Sequence, residues 1–248
     1  MFSSLDQKLI NKQICYLGCN EQNLLITEKL LLQQYRLDYN EHCHIGLGGY
    51  YNFDVASWRK SKRIIIFDNN SDQISLLKRS INLLTQCQYR EDFVKHMILY
   101  LDKTHQSVEY NCNTSADSSY QNFRTHCFED RFEVVEIKTE LVRPSSWLSS
   151  DSSYKHIRSL VLNNKIDVIN CDIKQTEIFK QLAEILNKHY ILIDTVYLSN
   201  VIDFIKPDEM KLFYLSMGYI VRTDSLIISS ERALDMAQMV MTGKRFLK

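Results

Sequence analysis

The chain has 248 residues, of which 45% are hydrophobic and 11% aromatic. That supplies a packed core for one large α/β domain, or for a domain with a helical extension, and excludes global disorder. Thirty basic residues balance thirty acidic ones, so the chain lacks the excess positive field that phosphate-backbone binding draws on, and nucleic acid is not an expected partner. No segment approaches the ~20 apolar residues of a membrane span. Residues 1–13 hold no apolar run of signal-peptide length, which makes the cytoplasm the expected compartment; export by a signal-independent route would leave no mark. Seven scattered cysteines, an odd number, suit a reducing compartment better than a disulfide framework.

Residues 1–40 read as a helical N-terminal extension, because Leu24, Leu25, Leu30, Leu31, Leu32 and Tyr35 recur at roughly helical spacing. The segment His42–Leu47 reads as a short strand that ends at glycines. Residues 51–61 read as a helix, with Asn52 or Asp54 near its start. The run Lys62-Arg63-Ile64-Ile65-Ile66-Phe67 reads as a buried parallel strand, apolar on both faces, that stops at Asp68-Asn69-Asn70. Ser71 or Asp72 is placed to cap the next helix, to about Gln86, and residues 91–101 are again helical.

From His105 to Arg131 the chain is rich in Ser, Asn, Asp and Thr and reads as a long loop within an insertion of about residues 104–146. Residues 132–141 partly alternate and suggest an added strand. A helix over 154–162, a strand Ile166–Asn170 and a helix over 175–187 follow. Residues 189–193 form an apolar run that ends at Asp194. Pro207 opens a helix toward Met217, and residues 225–229 make a late strand. Alternating strands and helices of this kind predict a parallel-type sheet with helices on both faces over residues 41–248.

Only six glycines occur, and three of them are Gly46, Gly48 and Gly49. Glycine serves turns and close backbone approach to a ligand. In a parallel sheet, ligands bind beyond the carboxyl ends of the strands. The residues expected there are the glycines, then Asp68 and Asn69, then Asp172, and finally Asp194, Tyr197, Ser199 and Asn200. Asp68 lies twenty residues beyond Gly48, about the distance at which dinucleotide folds place a ribose-binding carboxylate.

This order resembles that of class I S-adenosylmethionine-dependent methyltransferases, over roughly residues 41–230. His44-Ile45-Gly46-Leu47-Gly48-Gly49 is similar to the family's first motif, Ile66-Phe67-Asp68 to its ribose-binding acidic motif, Asn170-Cys171-Asp172 to its adenine motif, and residues 194–200 to the motif beside the reactive methyl. The departures are a short polar first strand, a Gly-x-Gly-Gly turn and a long interval from Asp68 to Asp172. The resemblance implies a Rossmann-like domain that binds S-adenosylmethionine through Gly46, Gly48, Gly49, Asp68, Asn69, Asp172, Ser199 and Asn200. It implies a small-molecule or protein acceptor, with Asp194 or Tyr197 orienting or deprotonating the nucleophile.

Plainer roles stand beside these. The glycines also suit an ordinary strand-to-helix turn, Asp68 and Asp172 also suit helix caps, and Tyr50 and Tyr51 suit either a pocket wall or core packing. Arg59, Lys60, Lys62 and Arg63 read as a helix end and a solvated turn. His105, Cys112, His126 and Cys127 fit no zinc spacing, so no metal is expected. The rival readings are another S-adenosylmethionine-dependent group transfer, a NAD-binding module, and a catalytically silent binding protein on the same fold. The second lacks its full fingerprint, since Tyr51 stands three residues beyond Gly48.

Overall fold

Ile64, Ile65, Ile66 and Phe67 are each at most 1% exposed, so both faces of their strand are covered. A computed structural model describes residues 15, 17–18, 21–34, 41–106, 132–231 and 236–247. It places that strand, β2 (Arg63–Asp68), in a six-stranded sheet with β1 (His42–Leu47), β3 (Ile166–Asn170), β4 (Leu192–Ser199), β5 (Leu226–Ser230) and β6 (Gln238–Thr242). The spatial order is β3-β2-β1-β4-β5-β6. The first five strands pair in parallel and β6 runs antiparallel to β5. The fold is therefore α/β with a mostly parallel sheet, and its strand order reverses between β1 and β4. No strand was expected at β6.

The helices are α1 (Leu24–Gln33), α2 (Tyr51–Arg59), α3 (Ser71–Gln86), α4 (Arg90–Gln106), α5 (Phe132–Val142), α6 (Asp151–Leu162), α7 (Thr176–Lys188), α8 (Met210–Ile220) and the short α9 (Gly243–Phe246). Pleating sends alternate side chains to opposite faces, which sorts the core. Ile64 and Ile66 pack with Phe53 of α2, Leu77 of α3, Met97 of α4 and Tyr154 of α6. Ile65 and Phe67 pack with Phe179 and Leu182 of α7 and Phe213 and Met217 of α8. A third cluster joins Leu31 of α1 to Tyr51, Val55 and Trp58 of α2 and to Tyr197 and Ile228.

Four sequence expectations change. Residues 132–141, expected as a strand, lie in helix α5. There Ile137 and Glu140 are buried while Lys138 and Thr139 are exposed, and that three-residue spacing on a helix face outweighs the partial alternation. The fourth strand begins at Leu192, after Tyr190 turns the chain at φ 54, and it runs through Asp194 to Ser199. The cap of α3 is Asn70, whose side chain accepts from the amides of Asp72 and Gln73, rather than Ser71 or Asp72. The fourth concerns the basic cluster: Arg59 and Arg63 are buried, not solvated.

Arg59 explains how α1 joins the sheet. Its Nε and Nη2 donate to the two carboxylate oxygens of Asp194, each at 2.7 Å. Its Nη1 donates to the carbonyls of Leu31 and Gln34, at 2.6 and 3.1 Å. One guanidinium thus ties α2, β4 and the C-terminal end of α1 in a site where both charges are hidden, at 0% and 3% side-chain exposure. Arg63 pairs similarly with Asp167 on the neighbouring strand, at 2.5 Å. Residues 107–131, with Cys112, His126 and Cys127, and Tyr35 lie outside the described residues. Among the described residues no helix is long and apolar enough to cross a membrane.

Removing one partner of a buried bidentate pair strands the other charge. Asp194→Asn is therefore expected to cost about 3–5 kcal/mol in urea unfolding, and Asp172→Asn well under that. Near wild-type stability for Asp194→Asn would show that the pair does not hold the fold.

Candidate functional site

The carboxyl ends of β1, β2, β3 and β4 share one edge of the sheet because those strands are parallel. Register brings Leu47 opposite Phe67, Gly46 opposite Tyr197 and Asp68 opposite Asn170. Gly48, Gly49, Asp68, Asn69, Asp172, Ser199 and Asn200 therefore gather at that edge, beside the place where the strand order reverses. Gly46, Asp194 and Tyr197 do not, since each lies inside its strand.

The three glycines divide by role. A Cβ on Gly46 would stand 2.0 Å from Asn52 Oδ1 and 3.0 Å from the Cβ of Tyr197. The space that was expected to admit a ligand is filled by the chain's own amide. Gly48 sits at φ +73, in the left-handed region that glycine adopts without strain. A Cβ there would stand 3.6 Å from Asp68 Oδ2, so a larger residue at 48 would cover that carboxylate. Gly48 N–H donates to the Phe67 carbonyl at 3.3 Å, which sets the turn against the end of β2.

Asn52 organises the turn from beneath. Its Nδ2 donates to the carbonyls of Leu47 and Gly49, both at 2.8 Å. That leaves Oδ1 as the acceptor for His44 Nε2–H at 3.0 Å. His44 Nδ1 must then accept from the Thr195 hydroxyl, at 2.8 Å. Burial holds the imidazole neutral by pulling its pKa down to about 4, against weaker upward pulls from the Asn52 hydrogen bond and from Asp194. The polar first strand is thus explained by a buried Thr195–His44–Asn52 chain.

Asp68 ends β2 with Oδ1 accepting the Asn70 amide at 2.8 Å. Burial pushes its pKa up to about 6, opposed by backbone hydrogen bonds from Asn70 and Asn69. Asn69 itself is exposed. Asp172 is used locally: its Oδ1 accepts the Lys174 amide at 2.9 Å, and Lys174 Nζ lies 3.6 Å from Oδ2 and 2.9 Å from Glu209. Its own amide donates to Gln175 Oε1 at 2.9 Å. The carboxylate closes the turn ahead of α7, whose N-cap is Gln175 with no side-chain cap bond, so Asp172 does not cap that helix.

Tyr197 and Ser199 answer to a residue the sequence did not single out. The Tyr197 hydroxyl donates to Glu21 Oε1 at 2.9 Å, as does Ser199 Oγ at 2.5 Å. Gln238 Nε2 donates to Glu21 Oε2 at 2.6 Å, and Gln238 Oε1 accepts from the Tyr51 hydroxyl at 2.7 Å. Ser199 is itself in the left-handed region, φ 52. Tyr51 packs between Trp58 and Tyr197, and Tyr50 lies in the α3–α4 core, so both serve as packing. Glu21 sits in a polar stretch with no period or motif, and Gln238 in a strand that was not foreseen. Neither left a signal in sequence. Among the described residues no three His, Cys, Asp or Glu side chains converge as a metal site.

A second buried charge cluster lies behind α2. Asp54 accepts from Arg143 and from the Trp147 amide, the latter at 2.6 Å, while Arg143 also holds Glu140 at 2.6 Å. Burial raises the Asp54 pKa despite Arg143. This cluster joins α2 to α5 and lies away from the glycine turn.

If Asn52 fills the gap left by Gly46, Gly46→Ala should cost about 1–3 kcal/mol by overpacking, and clearly less in an Asn52→Ala background. Equal costs in both backgrounds, measured by urea unfolding, would refute that packing account. The folded pKa of His44 lies below its usual value of 6.5, so the unfolded chain takes the proton first. Its stabilising contribution is present above pH 6.5 and is lost as pH falls toward about 4, by roughly 3 kcal/mol at most. His44→Gln should flatten that part of the stability–pH curve.

A family model described as a domain of unknown function (DUF7790) matches residues 16–228. The match covers most of the chain, and the protein belongs to that family. No curated protein matches it.

Proposed function

We propose that this DUF7790 member is a Rossmann-like S-adenosylmethionine-binding protein that acts as a methyltransferase on a small-molecule or protein acceptor. The observation that carries the reading is the pairing of Gly48 with Asp68 at the strand-order reversal. A left-handed glycine stands beside a half-buried carboxylate at the end of the adjacent strand. A carboxylate offers about four lone-pair sites, and turn amides use only part of that capacity, which leaves room for two ribose hydroxyls. Gly49 and the first turn of α2 supply close backbone approach. Asp172 stands two strands away from β1, about 10 Å at ordinary strand spacing, a reach that suits the base of an adenosyl group. Asn69, Ser199 and Asn200 complete the rim.

The ligand, when bound, brings a methyl already activated on a sulfonium, so the protein's task is alignment more than acid–base chemistry. The interior partners of the expected acid–base residues agree with that division. Asp194 is bound by Arg59 and the Tyr197 hydroxyl by Glu21, so the reading assigns both to holding the site rather than to proton transfer. The same commitment favours one second reading, a catalytically silent binding protein on this fold. Adenosyl binding without transfer to any acceptor would select it.

Calorimetry with S-adenosylhomocysteine at pH 7.5, with NAD as the contrast, tests the reading. The wild-type chain should bind the adenosyl ligand, and Asp68→Ala should weaken it at least about tenfold through loss of charged hydrogen bonds. Affinity should also fall as pH drops through about 6, where Asp68 takes a proton. Folded protein that ignores the ligand, or prefers NAD, would sink the proposal.

A further inference from the structure

Helices α7 and α8 pack side by side on one face of the sheet, but their outward faces differ in kind. Helix α7 exposes Glu177, Lys180, Gln181, Glu184, Asn187 and Lys188, an ordinary solvated stripe. Helix α8 buries Phe213, Met217 and Ile220 in the core and exposes Lys211, Leu212, Tyr214, Leu215, Gly218 and Tyr219. The four large apolar side chains on that outward face are 39–46% exposed, and Lys211 is the one charge beside them. A helix that is apolar all round is normally a buried helix. Eleven residues are too few to span a bilayer. A helix lying on a membrane surface carries a polar face rich in Lys and Arg, which α8 lacks. The cover that suits this face is protein.

We propose that a second copy of this chain covers α8, in a twofold, antiparallel α8–α8 pairing centred on Leu215 and Gly218. Among the described residues, a Cβ on Gly218 would meet nothing within 4 Å. No internal packing therefore requires glycine there, although glycine destabilises a helix relative to alanine. Its missing side chain leaves a notch between Tyr214 and Leu215, which stand four and three residues earlier on the same face. A knob at Leu215 and a notch at Gly218 make the surface self-complementary. A twofold axis between them seats Leu215 of each copy in the Gly218 notch of the other, the reciprocal contact of an isologous interface. The same axis brings the exposed Asp208 and Lys211 at the start of one α8 toward the exposed Arg222 and Asp224 at the end of the other, with one charge of each sign on both sides. At roughly 200 Å² for a fully exposed side chain of this size, the four apolar residues present on the order of 350 Å². Counted on both copies with those flanking charges, the pairing reaches the ~1,000 Å² that a specific interface needs.

Sedimentation velocity on the full chain without ligand, over a dilution series, should show a reversible dimer. Leu215→Glu puts a charge on the knob and Gly218→Leu fills the notch. Each should weaken the dimer at least about tenfold. Leucine is a better helix former than glycine, so Gly218→Leu should lose the dimer while its monomer keeps wild-type circular dichroism and resists urea at least as well. That combination separates a lost interface from a damaged fold. A wild-type chain that stays monomeric across the series overturns the pairing, as does a dimer that both variants leave unchanged. Assembly that keeps growing with concentration also overturns it, because a twofold contact closes at two copies.

Discussion

The candidate site depends on one side chain standing where another is missing. Gly46 has no Cβ, and Asn52 Oδ1 occupies that gap. From there the amide reaches the carbonyls on both sides of Gly48 and the imidazole of His44 on β1. An interior amide with partners on all sides is stabilising, while one left half-satisfied is costly. The turn is consequently specified from below, by groups no ligand would touch. Gly48 is left free to take its left-handed conformation against Asp68, and the position of the turn does not rely on ligand binding.

That arrangement needs α2 to be immobile, and the helix is buried along its whole length, from Tyr51 to Arg59. A helix covered on every side cannot keep a solvated polar face, so its polar residues each have interior partners. Asn52 serves the turn, Asp54 meets Arg143, and Arg59 meets Asp194. Buried ion pairs give modest net stability but penalise misplacement strongly. Here they fix the azimuth and axial position of α2 against β4, α1 and α5. The cost of hiding these charges is offset by aromatic packing, as in the Tyr50, Phe53, Phe93 and Trp147 cluster.

The two sides of the strand reversal differ in character. On the β1–β2 side, a strained-tolerant glycine and a partly protonatable carboxylate meet at an edge that is not fully covered. On the β4 side, hydroxyls of Tyr197 and Ser199 are turned toward Glu21 from an earlier part of the chain. The ribose of an adenosyl ligand is proposed to lie on the first side. Asp194 and Tyr197 are both committed to interior partners, Arg59 and Glu21.

Local pattern by itself determined the strands whose residues are apolar in unbroken runs. Ile64 to Phe67 was legible because a strand covered on both faces leaves that mark wherever it sits, and the edge strand Ile166 to Asn170 because Ile166, Val168 and Ile169 are apolar and β-branched. The glycine turn and the acidic ends of β2 and β3 were legible for a similar reason: they are adjacent in sequence to those runs. Tertiary structure decided the rest. Asp194 looked like a strand end, but a partner 135 residues away in the chain, Arg59, made it an interior charge. The partial alternation from Phe132 suggested a strand, but a neighbouring helix accepted Ile137. Gly46 looked like part of a ligand loop until Asn52 filled its space. Glu21 and Gln238 acquired meaning only together, 217 residues apart. Each of these depends on which distant group arrives at a buried polar atom, and no local periodicity encodes that.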